Sequence, residues 1–256
     1  MLSLPALLAL VAAPAIGSFL GTLVLRLPTH QPVLLARSAC PHCGHTLGPW
    51  ELVPLLSWLA QRGRCRHCGG KIDRFYPMIE LAALALAGGA VAVVPPEAIG
   101  WTCLLGWTLL ALALIDRRAF LLPDVLTLPL LGLGLAATAA LAPDDLPAHV
   151  IGAALGWGGF AAIAAAYRLL RGRDGLGGGD AKLLAAGGAW FGWTALPAIV
   201  LAASVLGLLE VGVRTLSGHR PAADEPIALG TWLAVAIWVL WLAGVPMQGM
   251  IAPGGW

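Results

Sequence analysis

Asp174-Gly175-Leu176-Gly177-Gly178-Gly179-Asp180-Ala181-Lys182-Leu183-Leu184 is the stretch from which the fold can be read. It lies between two long apolar runs. Its second carboxylate, Asp180, would sit at a membrane boundary, where an unpaired charge is costly and usually functional. The three glycines before Asp180 remove every side chain from its approach. Another peptide could pass close to the backbone there, and left-handed φ is open to it. A second carboxylate, Asp116, closes another apolar run in an equivalent place.

Composition agrees with that boundary reading. The chain has 256 residues, 59% hydrophobic and 11% charged, where a soluble domain carries about 25% charged residues. With 33 Gly and 11 Trp as well, this is an all-α polytopic membrane protein whose surroundings are the lipid bilayer. The basic residues form no extended stripe, so no nucleic-acid partner is expected.

The first apolar run, residues 4–27, lacks the basic start of a secretory signal and exceeds its usual apolar length, so it reads as an uncleaved span. Further runs lie at about 77–94, 98–115, 125–142, 147–170, 181–194, 195–213 and 227–246. A spanning helix needs roughly 20 apolar residues, which gives about eight spans. The run at 181–194 is short and rich in small residues that suit close helix packing. Phe191-Gly192-Trp193 would stand at its outer interface, where aromatic residues are favoured.

Lys and Arg set the orientation. With residues 28–76 in the cytoplasm, eight crossings put the joins at Pro95-Pro96-Glu97 and Pro143-Asp144-Asp145 outside, and neither contains a basic residue. The joins at Arg117-Arg118, at 168–182 and from Arg214 to Arg220 fall inside. All 15 Lys and Arg then face the cytoplasm, together with Asp116 and Asp180.

Residues 28–76 are the one sizeable polar segment. They hold Cys40-Pro41-His42-Cys43-Gly44-His45 and Cys65-Arg66-His67-Cys68-Gly69-Gly70. Two residues between cysteines let both sulfurs of a tight turn face one ion, and a glycine after each pair eases the turn. Four thiolates suit a closed tetrahedral zinc site, forming a small cytoplasmic four-cysteine module. Two redox-active thiol pairs are the other reading. His42, His45 and His67 then read as surface residues, since four cysteines complete the zinc shell. Cys103, alone in an apolar run, reads as a packing residue. Between the pairs, Trp50, Leu52, Leu55, Leu56 and Trp58 suggest an amphipathic helix lying on the membrane.

Asp116 and Asp180 each have a plain reading as well: solvation, or pairing with Arg117, Arg118 or Lys182. Lys182 also reads as an anchor to lipid phosphate. Asp124, behind Pro123, reads as a first-turn helix charge. Two carboxylates brought together cannot both ionise easily and share a proton. One can then act as general base on water and the other as general acid toward a carbonyl oxygen. That is peptide hydrolysis without a metal.

At this point the residues resemble a known family. Gly177-Gly178-Gly179-Asp180 fits the GxGD signature of intramembrane aspartyl proteases. Asp116 with Leu122-Pro123-Asp124-Val125-Leu126-Thr127-Leu128-Pro129-Leu130 looks like the first aspartate region of the type IV prepilin peptidases. Gly17-Ser18-Phe19-Leu20, Arg26-Leu27-Pro28, the two cysteine pairs, Pro49-Trp50-Glu51, Tyr76-Pro77 and Glu80-Leu81 resemble the same family in the same order. The resemblance implies a multi-pass enzyme of the bacterial inner membrane, with its active site facing the cytoplasm. It would cleave the basic leader of prepilins or pseudopilins. Asp116 and Asp180 would be the catalytic pair, Gly177, Gly178 and Gly179 the substrate approach, and Cys40, Cys43, Cys65 and Cys68 the ligands of a structural zinc. Many members also methylate the new N-terminus with S-adenosylmethionine.

The resemblance divides the chain into a first span (1–27), a zinc-binding region associated with methyl transfer (28–76, extending to about 95) and a membrane-embedded peptidase domain (77–256). Two positions depart from the family pattern. Gly21 stands where asparagine is usual, and Ala228-Leu229-Gly230-Thr231 replaces a Pro-Phe-Gly-Pro run. Neither departure is expected to touch the peptidase pair; the first bears on methyl transfer. Two other readings remain: a GxGD protease acting on other membrane substrates, and a non-catalytic anchor presenting a zinc module. The first lacks a precedent for the four cysteines, and the second leaves the carboxylates and glycines without a task.

Overall fold

The computed structural model describes residues 2–33, 37–172, 175, 177–218 and 226–244. Asp174, Leu176 and Arg220, the basic residue Arg173 and the end of the last apolar run lie outside them. Among the described residues the structure is helical, with no strand beyond two single-residue bridges. It forms two compact units, Met1–Trp107 and Thr108–Trp256.

The first unit is built on α1 (Leu4–Arg26) and α3 (Phe75–Val93). Ser3 caps α1, its hydroxyl accepting from the Ala6 N–H at 3.4 Å, and Arg26 in the last turn suits the negative end of the helix dipole. The two helices approach closely at Gly17, where a Cβ would lie 2.6 Å from Glu80 Cα and 2.9 Å from the Ile79 carbonyl. Only glycine fits there. Arg26 then holds the returning chain by donating to the carbonyls of Pro32 at 3.1 Å and Arg37 at 3.4 Å.

The single amphipathic helix expected over residues 50–58 does not form. A 3-10 turn at Pro49–Glu51 is followed by α2, Leu56–Ala60. Pro54 between them disfavours helix at Val53, and Leu55 takes φ 60°, a left-handed conformation that a branched side chain rarely adopts. Buried Glu80 holds that bend: its Oε2 accepts the Leu55 N–H at 2.7 Å.

α4 (Ile99–Ala119) runs through the boundary between the units. The second unit contains its C-terminal part with α5 (Asp124–Leu141), α6 (Leu146–Arg171), α7 (Gly178–Phe191), α8 (Leu196–Leu216) and α9 (Leu229–Leu242). The eight longer helices match the eight apolar runs. Among the described residues six segments are long and apolar enough to cross a membrane, so the chain is a polytopic membrane protein. α7 and α9 have 14 residues each, about 21 Å of helix.

α7 can be short because it is the centre of the unit. Ala181 and every residue from Leu183 to Phe191 are buried, with α5, α6, α8 and α9 packed around it. Small residues allow this, as their pattern suggested. Gly152 and Gly156 of α6 lie against the α7 backbone, where a Cβ at Gly156 would stand 2.7 Å from the Leu184 carbonyl. The Trp190 indole crosses to α5, sitting over Gly134 and donating to the Leu130 carbonyl at 2.9 Å. Phe191 is not interfacial: it is buried edge-on against Trp241. Trp193 is the exposed member of that aromatic group.

Candidate functional site

Asp116 occupies the last turn of α4 and Asp180 the first turn of α7. Asp116 is only 5% exposed, and Asp180 is half-buried. The Leu122 side chain joins their surroundings, packing on Gly179 next to Asp180 and on Gly230 beside Asp116. The glycines do not form a left-handed loop. Gly177 is the extended N-cap of α7, with φ −69°, and Gly178 and Gly179 belong to its first turn. Their absent side chains matter for space instead. Gly178 has nothing within 4 Å of where a Cβ would stand, so that side is open. At Gly179 a Cβ would lie 2.8 Å from Leu122 Cβ, and at Gly177 it would lie 3.0 Å from Asp180 Oδ2.

Asp116 is held from α9. The Thr231 N–H donates to its Oδ2 at 2.7 Å, and the Thr231 hydroxyl lies 3.1 Å from that oxygen and 3.1 Å from the Ala113 carbonyl. Having one proton, the hydroxyl donates to one of them at a time. Gly230 lets the chain come this close: a Cβ there would lie 3.1 Å from Asp116 Cγ and 2.7 Å from Leu122 Cδ1. The expectation that the Ala228–Thr231 departure stands away from the peptidase pair is therefore wrong. Gly230 and Thr231 are the immediate surroundings of Asp116. Thr231 is the first polar residue of the last apolar run, and counting crossings puts it at the same end as Asp116, so the signal was present.

Two of the cations offered as partners for the aspartates, Arg117 and Lys182, form ion pairs with other carboxylates. Arg117 pairs with Glu210 at 2.6 Å, and Arg214 reaches the same carboxylate at 2.7 Å. The Trp232 indole donates to its other oxygen at 2.8 Å. Lys182 pairs with Asp124 at 2.6 Å. Asp124 stands in the first turn of α5, as its place behind Pro123 suggested.

In the first unit the four cysteines converge: the sulfurs of Cys40, Cys43, Cys65 and Cys68 all lie within 4.8 Å of one another, with none in a disulfide. They come from two copies of one turn. Cys40 N–H donates to the His45 carbonyl and Gly44 N–H to the Cys40 carbonyl. Cys65 N–H likewise donates to Gly70 and Gly69 N–H to Cys65, each bond 2.9 Å long. Gly44 and Gly69 both take φ 71°, the left-handed conformation that glycine adopts without strain. The amides of Cys43 and His42 draw the Cys40 thiol down to about 6. The Gly70 amide favours the Cys68 thiolate, but desolvation and the other three cysteines push Cys68 up to about 11. Four thiols this close cannot all ionise without a cation among them, and an all-sulfur tetrahedral set suits zinc. His42, His45 and His67 are exposed, as expected of surface residues. His45 and His67 stack at 3.5 Å and gather with Glu51 into a second cluster beside the cysteines.

Beside this module the first unit contains a cavity of about 160 Å³. Its lining includes Arg26, Glu51, Trp58, Tyr76 and Glu80. Glu51 accepts the Gly48 N–H with Oε2 at 2.9 Å, while its Oε1 is buried with no partner.

The architecture defines a polytopic helical membrane protein with two carboxylates at one end of its second unit and a thiol cluster in its first. Residues 11–94 match the bacterial peptidase A24 N-terminal domain, and residues 103–211 match the type IV leader peptidase family. A prepilin leader peptidase/N-methyltransferase of Burkholderia pseudomallei is 48% identical over 209 residues, covering 81% of this chain and 67% of that protein. Proteins of the same name from Aeromonas hydrophila and Pseudomonas aeruginosa are 40% and 38% identical, each match covering 90% of this chain and 87% of the relative. The chain belongs to the type IV leader peptidase family. No solved structure matches it.

Proposed function

We propose that this protein cleaves the basic leader of type IV prepilins or pseudopilins and then methylates the new N-terminus. What supports the cleavage reading is that Asp116, in the last turn of one helix, and Asp180, in the first turn of another, have Leu122 as a common neighbour of their surroundings. Thr231 commits Oδ2 of Asp116 and leaves Oδ1 for chemistry. One carboxylate takes a proton from water as the water oxygen bonds to the scissile carbonyl carbon. The other gives its proton to the carbonyl oxygen. As the tetrahedral carbon collapses, the carbon–nitrogen bond breaks, the leaving nitrogen takes the proton that the first carboxylate drew from water, and the second carboxylate recovers its proton from the former carbonyl oxygen. The open side of Gly178 suits an extended substrate backbone beside Asp180.

The distribution of Lys and Arg supports a bacterial inner-membrane protein with this end in the cytoplasm. A basic leader would then stay in the cytosol while the apolar part of the substrate remains in the bilayer. Cys40, Cys43, Cys65 and Cys68 would hold a structural zinc. We read residues 1–27 as the first span, 28–76 (extending to about 95) as the zinc-binding, methyl-transfer region, and 77–256 as the peptidase domain. S-adenosylmethionine would supply the methyl group. When bound, it would offer an electrophilic methyl carbon to the deprotonated amine, with the neutral thioether as leaving group. Gly21 is buried against α3, where a Cβ would lie 3.2 Å from Ile79 Cγ2 and 3.7 Å from Tyr76 Cδ1.

The test is purified full-length protein in detergent with a prepilin substrate, the product N-terminus being read by mass spectrometry. A shortened, methylated product is expected. No cleavage overturns the peptidase reading. Complete cleavage without methylation, in the presence of S-adenosylmethionine, overturns the methyl-transfer reading alone.

A further inference from the structure

We infer that the cavity of the first unit, between the cytoplasmic ends of α1 and α3 and the cysteine module, is the binding site for the methyl donor, with Glu51 and Glu80 as its cation-recognising walls. This rests on the methyl-transfer part of the reading above. The argument is one of charge and shape. Beyond the cysteines, the acidic and basic side chains lining the cavity are two carboxyl groups, Glu51 and Glu80, and one guanidinium, Arg26. S-adenosylmethionine carries the complementary set: a sulfonium, an ammonium and one carboxylate. Trp58 and Tyr76 supply aromatic faces to the same space, suited to stacking a purine and to attracting a sulfonium.

The polar groups of the cavity are set in advance. Glu80 is 5% exposed and is fixed by the Leu55 N–H at 2.7 Å. Glu51 is fixed through Oε2 on the Gly48 N–H. Its Oε1 has no partner, although a buried acceptor left unmade costs about 1–3 kcal/mol. A cationic ligand would satisfy it. Trp58 is tethered by its indole N–H to the Ile72 carbonyl at 3.4 Å, and Gly63 packs against its ring. Cys40 and Cys65 also line the cavity. The thiol cluster would therefore shape the donor site without touching the transferred carbon.

The experiment measures binding, not turnover. The full-length protein in detergent is titrated calorimetrically with S-adenosylmethionine, with sinefungin, which carries an amine in place of the sulfonium, and with the neutral S-adenosylhomocysteine. The unaltered protein is expected to bind the two cationic ligands more tightly than the neutral one. Glu51→Gln keeps an oxygen for Gly48 while removing the charge, and should weaken S-adenosylmethionine about tenfold or more. Glu80→Gln should do the same, and whichever variant removes the partner of the ammonium should also weaken S-adenosylhomocysteine, which keeps that ammonium. Zinc content and elution volume check that each variant is folded. Independently, ultraviolet cross-linking of radiolabelled S-adenosylmethionine to the unaltered protein should label the peptide containing Trp58 or Tyr76. No binding by the unaltered protein removes the methyl-transfer reading itself. Binding that is unchanged in folded Glu51→Gln, or a cross-link confined to residues beyond 107, overturns the cavity assignment and leaves methyl transfer standing.

Discussion

Thr231 reaches a single oxygen of Asp116 with both its backbone N–H, at 2.7 Å, and its hydroxyl, at 3.1 Å. The two residues are far apart in sequence and come from α9 and α4. The start of the last helix therefore sets the orientation of the first carboxylate. Thr231→Val keeps the shape and the backbone bond but removes the hydroxyl. One such bond is worth about 1 kcal/mol, so kcat for leader cleavage should fall roughly fivefold to tenfold with KM little changed. Gly230→Ala should be worse, since its Cβ would press on Asp116 Cγ and Leu122 Cδ1. Steady-state kinetics on a prepilin peptide decide it, and unchanged kcat in both variants would show Thr231 to be incidental.

Asp116→Asn and Asp180→Asn each remove a titratable oxygen while keeping nearly the same volume. Each should abolish cleavage in a protein that still inserts and folds. Asp124→Asn should be much milder. Its pair with Lys182 is part-exposed, and such pairs contribute about 0–1 kcal/mol. Substantial cleavage by either of the first two variants would remove the two-carboxylate mechanism.

Gently purified protein should contain about one zinc per chain, because binding of such an ion is coupled to folding of its module. Cys40→Ser and Cys65→Ser replace the buried members of the cluster. They should empty the site, lower the melting temperature and loosen the segment from residue 37 to 74 to proteases. Elemental analysis finding no zinc in the unaltered protein would rule out the structural-zinc reading.

The glycines of α6 divide into two kinds. Gly152 lies against the α7 backbone, where a Cβ would meet the Gly188 carbonyl, whereas Gly158 has open space around it. Gly152→Ala should destabilise the protein by about 1–3 kcal/mol, the usual cost of overpacking. Gly158→Ala should be neutral or stabilising by up to about 1 kcal/mol, as for an exposed helix position. Thermal unfolding in one detergent compares them directly.

Much of this was legible in the sequence because the membrane makes the code simple. Apolar length marked the long helices, and spacing marked the cysteines that cluster. What escaped was decided by contacts between distant segments. Nothing local marks Thr231 as the partner of Asp116, or Glu80 as the acceptor for Leu55. The helix expected over residues 50–58 failed because apolar spacing was weighed above Pro54, a local signal that was available. The glycines before Asp180 were rightly tied to close approach, but their role is to make room for Leu122 and Asp180, not to reach left-handed φ.

Leu122 lies against Gly179, the residue before Asp180, and against Gly230, the residue before Thr231. One leucine side chain is thus a spacer wedged between the backbone segments that precede Asp180 and Thr231. On the proposed mechanism its thickness would set the gap for a water molecule and a peptide carbonyl. Changes of bulk at position 122 would retune that gap without altering any ionisable group.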